Sequence, residues 1–166
     1  TTSSTTTTSS TTTTTLPDIT PPTVISTNPE SDATGVATDT LITATFSEAM
    51  DASTINTSTF VISGGVTGIV SYDSTSSTAT FTPLEELGLS TTYTATITTG
   101  VNDSAGNAMT SDYSWSFTTI TIPPSVITGS ATEITTISAI LNGTVTANGT
   151  STIAWFDYGT VSGLYS

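Results

Sequence analysis

Residues 92–98 read Thr-Tyr-Thr-Ala-Thr-Ile-Thr, an unbroken alternation in which apolar side chains take every second position. Residues 113–118 repeat the pattern as Tyr-Ser-Trp-Ser-Phe-Thr. A period of two indicates a β-strand with one buried face and one exposed face. Both segments therefore predict strands of a sandwich, and the second should place Tyr113, Trp115 and Phe117 in the core.

Further strands follow from the same alternation and from short β-branched runs. We predict them at residues 24–27, 41–46, 60–63, 69–73 and 78–82. The sum is about seven strands in roughly 100 residues, the size of one immunoglobulin-type sandwich. Only residues 51–56 look helical, as a single turn with Asp51 as its N-cap.

Two double prolines divide the chain. Pro21-Pro22 and Pro123-Pro124 each precede a short β-branched run, as expected of a stiff, extended entry into a domain. We therefore predict an all-β protein in four parts. They are a Thr/Ser-rich low-complexity tether at 1–20, an immunoglobulin-like β-sandwich at 21–119, a linker at 120–124 and an incomplete second sandwich at 125–166.

The composition excludes most chemistry. The 166 residues include no Cys, His, Lys or Arg, so thiol and imidazole nucleophiles, Schiff-base lysines and nitrogen or sulfur metal ligands are absent. Thirteen carboxylates give a formal net charge of -13. Nucleic acid and anionic membranes are unsuitable partners, because both are bound through Lys and Arg. No apolar stretch in the sequence is long enough to span a bilayer.

Six phrases in the first sandwich resemble a known family. They are Phe46-Ser-Glu-Ala-Met50-Asp51, Ser71-Tyr-Asp73, Thr80-Phe-Thr-Pro83, Leu89-Ser-Thr-Thr-Tyr93, Asp103-Ser-Ala-Gly-Asn107 and Trp115-Ser-Phe117. In this order they resemble bacterial Ig-like domains of the type first described in S-layer proteins. The resemblance covers residues 21–119 and implies the fold, whereas function does not follow from it, since the family serves as a spacer in adhesins, S-layers and secreted enzymes.

The second module resembles the beginning of a fibronectin type III-like domain. Residues 138–145 resemble its second strand, 147–149 its turn and 155–159 its third strand. Roughly 45 residues cannot close a sandwich that usually needs about 90–100. Either the sequence is a fragment of a longer protein, or a neighbouring chain supplies the missing strands, as in donor-strand polymers. Trp155, Phe156 and Tyr158 make both sides of the third strand apolar and are the candidate interface residues.

Hydroxyl and amide side chains offer sites for glycans. Residues 1–15 contain only Thr and Ser, so this tether is either a plain linker or a stalk with O-linked glycan at residues such as Thr1, Thr5 and Thr11. Asn56, Asn102 and Asn148 match the N-linked acceptor pattern. Asn142 also matches it but falls inside a predicted strand.

Carboxylates are the remaining candidates for a site. Glu85 with Glu86, and Glu48 with Asp51, could form acid pairs, but neither comes with an aromatic platform or a cationic partner. We expect no catalysis and no obligatory cofactor. For Ca²⁺, hard oxygen ligands occur at Asp103, Asn107 and Asp112 in one loop and at Glu48 and Asp51 in another. We interpret residues 103–107 instead as a tight turn with Gly106 at positive φ.

Two classes of function follow. The favoured one is a structural protein of the cell surface, a module of a filament, S-layer or adhesin that associates with itself or with neighbouring subunits. The alternative is a spacer or carbohydrate-binding accessory module of a secreted enzyme. An exposed aromatic platform would favour carbohydrate binding.

Overall fold

The computed structural model describes residues 16–149 and 151–156. Within them, eight strands build the first unit. Their bounds are β1 Val24–Asn28, β2 Ala33–Val36, β3 Ile42–Phe46, β4 Phe60–Ile62, β5 Gly68–Asp73, β6 Thr78–Pro83, β7 Thr92–Ile97 and β8 Tyr113–Thr119. All seven predicted strands of this unit are present within two residues of their predicted ends.

The eight strands form two four-stranded sheets. One has the order β1-β3-β6-β5 and is antiparallel throughout, and the other has the order β2-β8-β7-β4. This is the immunoglobulin arrangement of a four-stranded sheet against a three-stranded sheet, with β2 added beside β8. The all-β, immunoglobulin-like prediction is confirmed.

The core follows the predicted alternation. On β7, Tyr93, Ala95 and Ile97 are buried, and on β8 so are Trp115 and Phe117. Tyr113 is only half-buried, although its ring lies 5.9 Å from that of Trp115. The Thr and Ser side chains between them point outward, so the two strands separate apolar from hydroxyl side chains except at Thr119, which is buried at the end of β8.

Strand β2 was not predicted. Its residues, Ala-Thr-Gly-Val, show no alternation, and Gly35 has a positive φ of 70°. The strand runs parallel to β8 with an irregular register, and bonds from Asp32 N to Ser116 O and from Ile120 N to Val36 O fix it there. Tertiary pairing therefore creates this strand, since nothing in its own sequence favours it.

Two predicted turns are confirmed. A 3-10 turn spans Ala52–Thr54, and the Asp51 carboxylate accepts a bond of 2.9 Å from Ser53 N as its N-cap. Gly106 has a φ of 95° in the turn that follows Asp103. Glycine adopts this conformation without a steric cost.

The second unit contains a two-stranded antiparallel sheet, β9 Ser125–Thr128 with β10 Gly143–Thr146. The prediction of a strand from residue 138 is wrong for its first half, and Asn142 lies before β10 rather than inside it. The Asn142 amide donates to Ser130 O at 2.8 Å and to Thr132 Oγ1 at 3.1 Å, so local bonds compete with a ladder here. Trp155 and Phe156 lie in no strand, and residues 157–159 lie outside the described residues.

No helix in the described part of the chain is long and apolar enough to cross a membrane.

Candidate interaction surface

In the described part of the chain, charged side chains lie in the loops with one exception. Of the ten described strands only β5 contains a carboxylate, Asp73 at its last position. The other described carboxylates lie in connections, and the chain has no Lys or Arg to pair with them. Asp73 is consequently the one charged side chain on the described sheet faces, while the ends of the sandwich are acidic.

The outer face of β7 and β8 is a regular array of hydroxyl groups. Three cross-strand pairs are bonded at 2.8–3.0 Å, so each hydroxyl has a partner within the array. Such pairs stabilise a sheet by roughly 0.2–1 kcal/mol each. They are Thr92 with Thr118, Thr94 with Ser116 and Thr96 with Ser114.

The second unit exposes apolar side chains on both sides of its hairpin. Val126 and Ile127 are consecutive in β9, so they point to opposite faces, yet they are 63% and 70% exposed. Trp155 is 74% exposed, and the Phe156 ring lies across Gly143 of β10. We call these residues, with Val145 of β10, the hairpin surface. All of them except Ile127 line a cleft of about 110 Å³.

The structure describes two of the three predicted interface residues. Trp155 and Phe156 lie on the hairpin surface, and Tyr158 lies outside the described residues. A strand apolar on both sides was expected to be either deeply buried or part of an interface. In the part of the chain that is described, Trp155 is not buried. The interface assignment itself stays a prediction.

Three carboxylates from distant parts of the chain meet at one end of the sandwich. One carboxylate oxygen each from Asp18, Glu48 and Asp103 lies within 4.8 Å of the others, and we call this group the acidic cluster. Asn107 holds Asp18 there through a bond of 3.2 Å from its Nδ2 to Asp18 O. The pKa of Glu48 is raised, first by burial and then by the neighbouring charges of Asp18 and Asp103.

Both carboxylate oxygens of Asp103 accept hydrogen bonds from the turn that follows it. Its carboxylate accepts from Ala105 N and Asn107 N at 2.8 Å each and from Asn107 Nδ2 at 2.7 Å. Burial acts to raise the pKa of Asp103, but the bonds from the turn outweigh it, and the pKa is lowered. The predicted turn therefore accounts for both oxygens of this side chain.

The structure regroups the predicted calcium ligands. Asp112 accepts from Thr99 N at 2.8 Å and Asp51 caps its 3-10 turn, so neither belongs to the acidic cluster. Asp18, which the sequence interpretation missed, takes part instead. No local signal could have found it, because Asp18 lies 30 residues or more from both partners. The three carboxylates would supply only part of the six to eight oxygens that Ca²⁺ takes.

The candidate glycan acceptors differ in accessibility. Asn56 is exposed, although its Oδ1 accepts from Ser58 N, whereas Asn102 is half-buried. Asn148 donates to Pro123 O at 2.8 Å. Thr1, Thr5 and Thr11 lie outside the described residues. Glycosylation at all of these sites stays a prediction, which an intact mass measured against 16.8 kDa would test.

The candidate acid pair Glu85 and Glu86 is exposed in the β6–β7 loop, where Glu86 accepts from Thr38 Oγ1 at 3.2 Å. The other candidate pair, Glu48 and Asp51, is divided between two interactions. Asp51 is the N-cap of the 3-10 turn, and Glu48 belongs to the acidic cluster. The expectation of no catalysis stays a prediction.

Comparison with known proteins identifies the first unit. The model of the family described as "Bacterial Ig-like domain" matches residues 18–119. A search of curated protein sequences found no significant match.

Several solved structures are similar in fold. The S-layer protein rSbsC(31-844) is 22% identical with a TM-score of 0.47, and the match covers 78% of this chain and 19% of that one. CopC from Methylosinus trichosporium OB3b is 16% identical with a TM-score of 0.47, covering 59% of this chain and 92% of that one. PcoC, a methionine-rich copper resistance protein from Escherichia coli, is 18% identical with a TM-score of 0.47. The match covers 60% of this chain and 99% of that one. These values are too low to support a functional argument.

Proposed function

Because the chain belongs to the bacterial Ig-like domain family, we propose that it is a structural module of a protein at the cell surface, where it spaces neighbouring units and contributes contacts between subunits. The family match over residues 18–119 carries this proposal. The distribution of charge supports it, since sheet faces on which Asp73 is the one described carboxylate permit close side-by-side packing, while the other described carboxylates lie outside the strands.

The hairpin surface is the proposed contact with a neighbouring subunit. Its sheet has only two described strands, and an isolated two-stranded sheet is marginally stable in water. A strand from a neighbour would add backbone hydrogen bonds at an edge of this sheet. Its side chains would cover Val126 on one face or Ile127 on the other. The proposed contact is therefore strand sharing, with Trp155 and Phe156 as apolar anchors.

Location and assembly are tested on the native material. Immunogold labelling of intact cells that produce the protein should decorate their outer surface, and label confined to the cell interior would contradict the proposal. Electron microscopy of the same material should show a regular assembly that Ile127→Ser weakens. Ile137→Ser is the matched control, because Ile137 is 94% exposed and lies in no strand.

One observation favours the alternative function of carbohydrate binding. Trp155 is 74% exposed beside Phe156, as a sugar-stacking platform requires. Under this alternative the protein should be retained on an insoluble polysaccharide such as cellulose or chitin, and Trp155→Ala should abolish retention. Ile153→Ala removes a neighbouring side chain that is 85% exposed but has no ring, and it should leave retention unchanged.

A further inference from the structure

The β1-β3-β6-β5 sheet ends at β5 in a regular, unprotected edge. The strand pairs with β6 over all six residues, from Gly68 with Pro83 to Asp73 with Thr78, without a bulge. No strand in the described part of the chain pairs with its other side. We call that side the β5 edge. Its backbone groups form a template to which another strand could add.

The other three sheet edges of the first unit carry the features by which proteins block such pairing. Strand β1 has a register shift between Val24 and Ser26 and lies between prolines. Strand β2 has four residues and a register shift, and β4 has only three residues. Short and bulged edges resist addition of a further strand. The β5 edge differs from all of them.

The side chains of β5 suit a contact. Ile69, Ser71 and Asp73 are exposed on one face, with Ile69 at 60%, while Val70 and Tyr72 pack against the core on the other. Lysine, the usual guard of an exposed edge, is absent from the whole chain.

We propose that the β5 edge pairs antiparallel with the β5 edge of a second copy of this chain, extending the sheet across a two-fold axis. The inference rests on the proposed function in that it supplies a contact for assembly. It is separate from the hairpin surface. An isologous contact of this kind closes a dimer, so a longer assembly needs the hairpin contact as well.

The charges favour a second copy as the partner. Both ends of the sandwich are acidic, with Glu48 and Asp103 at one and Glu85 and Glu86 at the other, so a cationic partner would be drawn there. Another copy is repelled at those ends, and the β5 edge carries a single carboxylate. Two copies can therefore approach edge to edge with less repulsion than end to end, and among the strand edges the regular backbone of β5 favours this one.

The two-fold axis fixes which residues face each other. In a symmetric antiparallel pair one residue faces its own copy, and placing Ser71 there sets Ile69 opposite Asp73 of the second copy. The two Asp73 residues are then four positions apart, about 13 Å at 3.3 Å per residue. That exceeds the screening length of about 8 Å at physiological salt, so their repulsion is weak.

A cross-linking experiment on the full chain tests the contact. Directly opposite residues in an antiparallel ladder have Cα atoms about 4.5–5.5 Å apart, which a disulfide can span. Because the chain has no cysteine, Ser71→Cys provides one thiol per copy. Under mild oxidation it should form a covalent dimer, whereas Ser26→Cys on the β1 edge should remain mostly monomeric. Equal cross-linking of the two variants would overturn the proposal.

Charge substitutions test the register. Ile69→Asp sets a carboxylate opposite Asp73 of the second copy and should weaken dimerisation roughly three- to tenfold, and Ile69→Lys should strengthen it. Ile25, which is 64% exposed on the opposite edge of the same sheet, provides controls with the same net charges. Sedimentation velocity measures each dissociation constant, and circular dichroism confirms folding. If the Ile25 variants change dimerisation as much as the Ile69 variants, the β5 pairing is wrong.

The two proposals fail separately. Loss of β5 cross-linking with retained surface labelling would refute only the β5 contact. Interior labelling with retained cross-linking would refute only the surface function.

Discussion

A hydrogen bond at the corner between β6 and β7 should account for a measurable part of the stability of the sandwich. Tyr93, near the start of β7, accepts a bond of 2.8 Å at its hydroxyl from Gly88 N, five residues upstream. This is the tyrosine corner found in immunoglobulin-like sandwiches. We predict that Tyr93→Phe destabilises the fold.

The magnitude follows from what the substitution leaves behind. Tyr93 is 8% exposed and its ring centroid lies 5.9 Å from that of Phe117, so phenylalanine retains the packing and loses only the oxygen. Gly88 N then has no acceptor from this side chain. Leaving a donor unsatisfied costs about 1–3 kcal/mol, and the partial exposure of the loop favours about 1–2 kcal/mol. In a domain of this size each kcal/mol lowers the melting temperature by roughly 4–8 °C.

The assay can be made specific for the first unit. Trp115 is buried in the sandwich at 2% exposure, and the other tryptophan, Trp155, belongs to the second unit. In a Trp155→Phe background, tryptophan fluorescence during urea unfolding therefore reports on the sandwich alone. The midpoint should fall with an unchanged slope, since the surface exposed on unfolding is the same.

The control is Tyr113→Phe. Its hydroxyl has no hydrogen-bond partner among the described residues, and its ring is half-buried against Trp115. This variant should unfold within about 0.5 kcal/mol of the parent. A Tyr93→Phe midpoint equal to that of the parent, or an equal loss in both variants, would refute the role of the corner.

Three further predictions concern packing and charge. Gly68→Ala should destabilise the sandwich by about 1–3 kcal/mol in the same assay, because a Cβ there would overlap the Phe81 ring. The raised pKa of Glu48 means that the folded state binds its proton more tightly, so its contribution to stability falls as pH rises above about 4.5. Glu48→Gln should then raise the melting temperature at pH 7. An unchanged melting temperature would contradict an unfavourable Glu48 charge in the acidic cluster. The lowered pKa of Asp103 has the opposite sign, so Asp103→Asn should destabilise at pH 7 by an amount that shrinks as pH falls below about 3.8.

Self-association also depends on the carboxylates. With a net charge of -13 and no cation, copies of the chain repel each other less as the carboxylates gain protons. Association should therefore increase from pH 7 to pH 4, and equal sedimentation at the two pH values would count against this.

Sequence patterns were enough to predict seven of the eight strands of the first unit and most of its core. Alternation on β7 and β8 assigned Ala95, Ile97, Trp115 and Phe117 to the core correctly, because burial of one face of a pleated strand imposes a period of two directly on the residues. The cap at Asp51 and the turn at Gly106 are equally local, so residue type alone was enough to predict them.

The features that join distant segments could be found only in the folded structure. Strand β2 exists because β8 pairs with it, the acidic cluster unites Asp18 with Glu48 and Asp103, and the β5 edge is exposed because no described strand lies beyond it. None of these leaves a periodic signal, since each depends on which backbone and which charge lie alongside. Pairing and electrostatic contact act through space, whereas sequence patterns record only what neighbouring residues along the chain impose on each other.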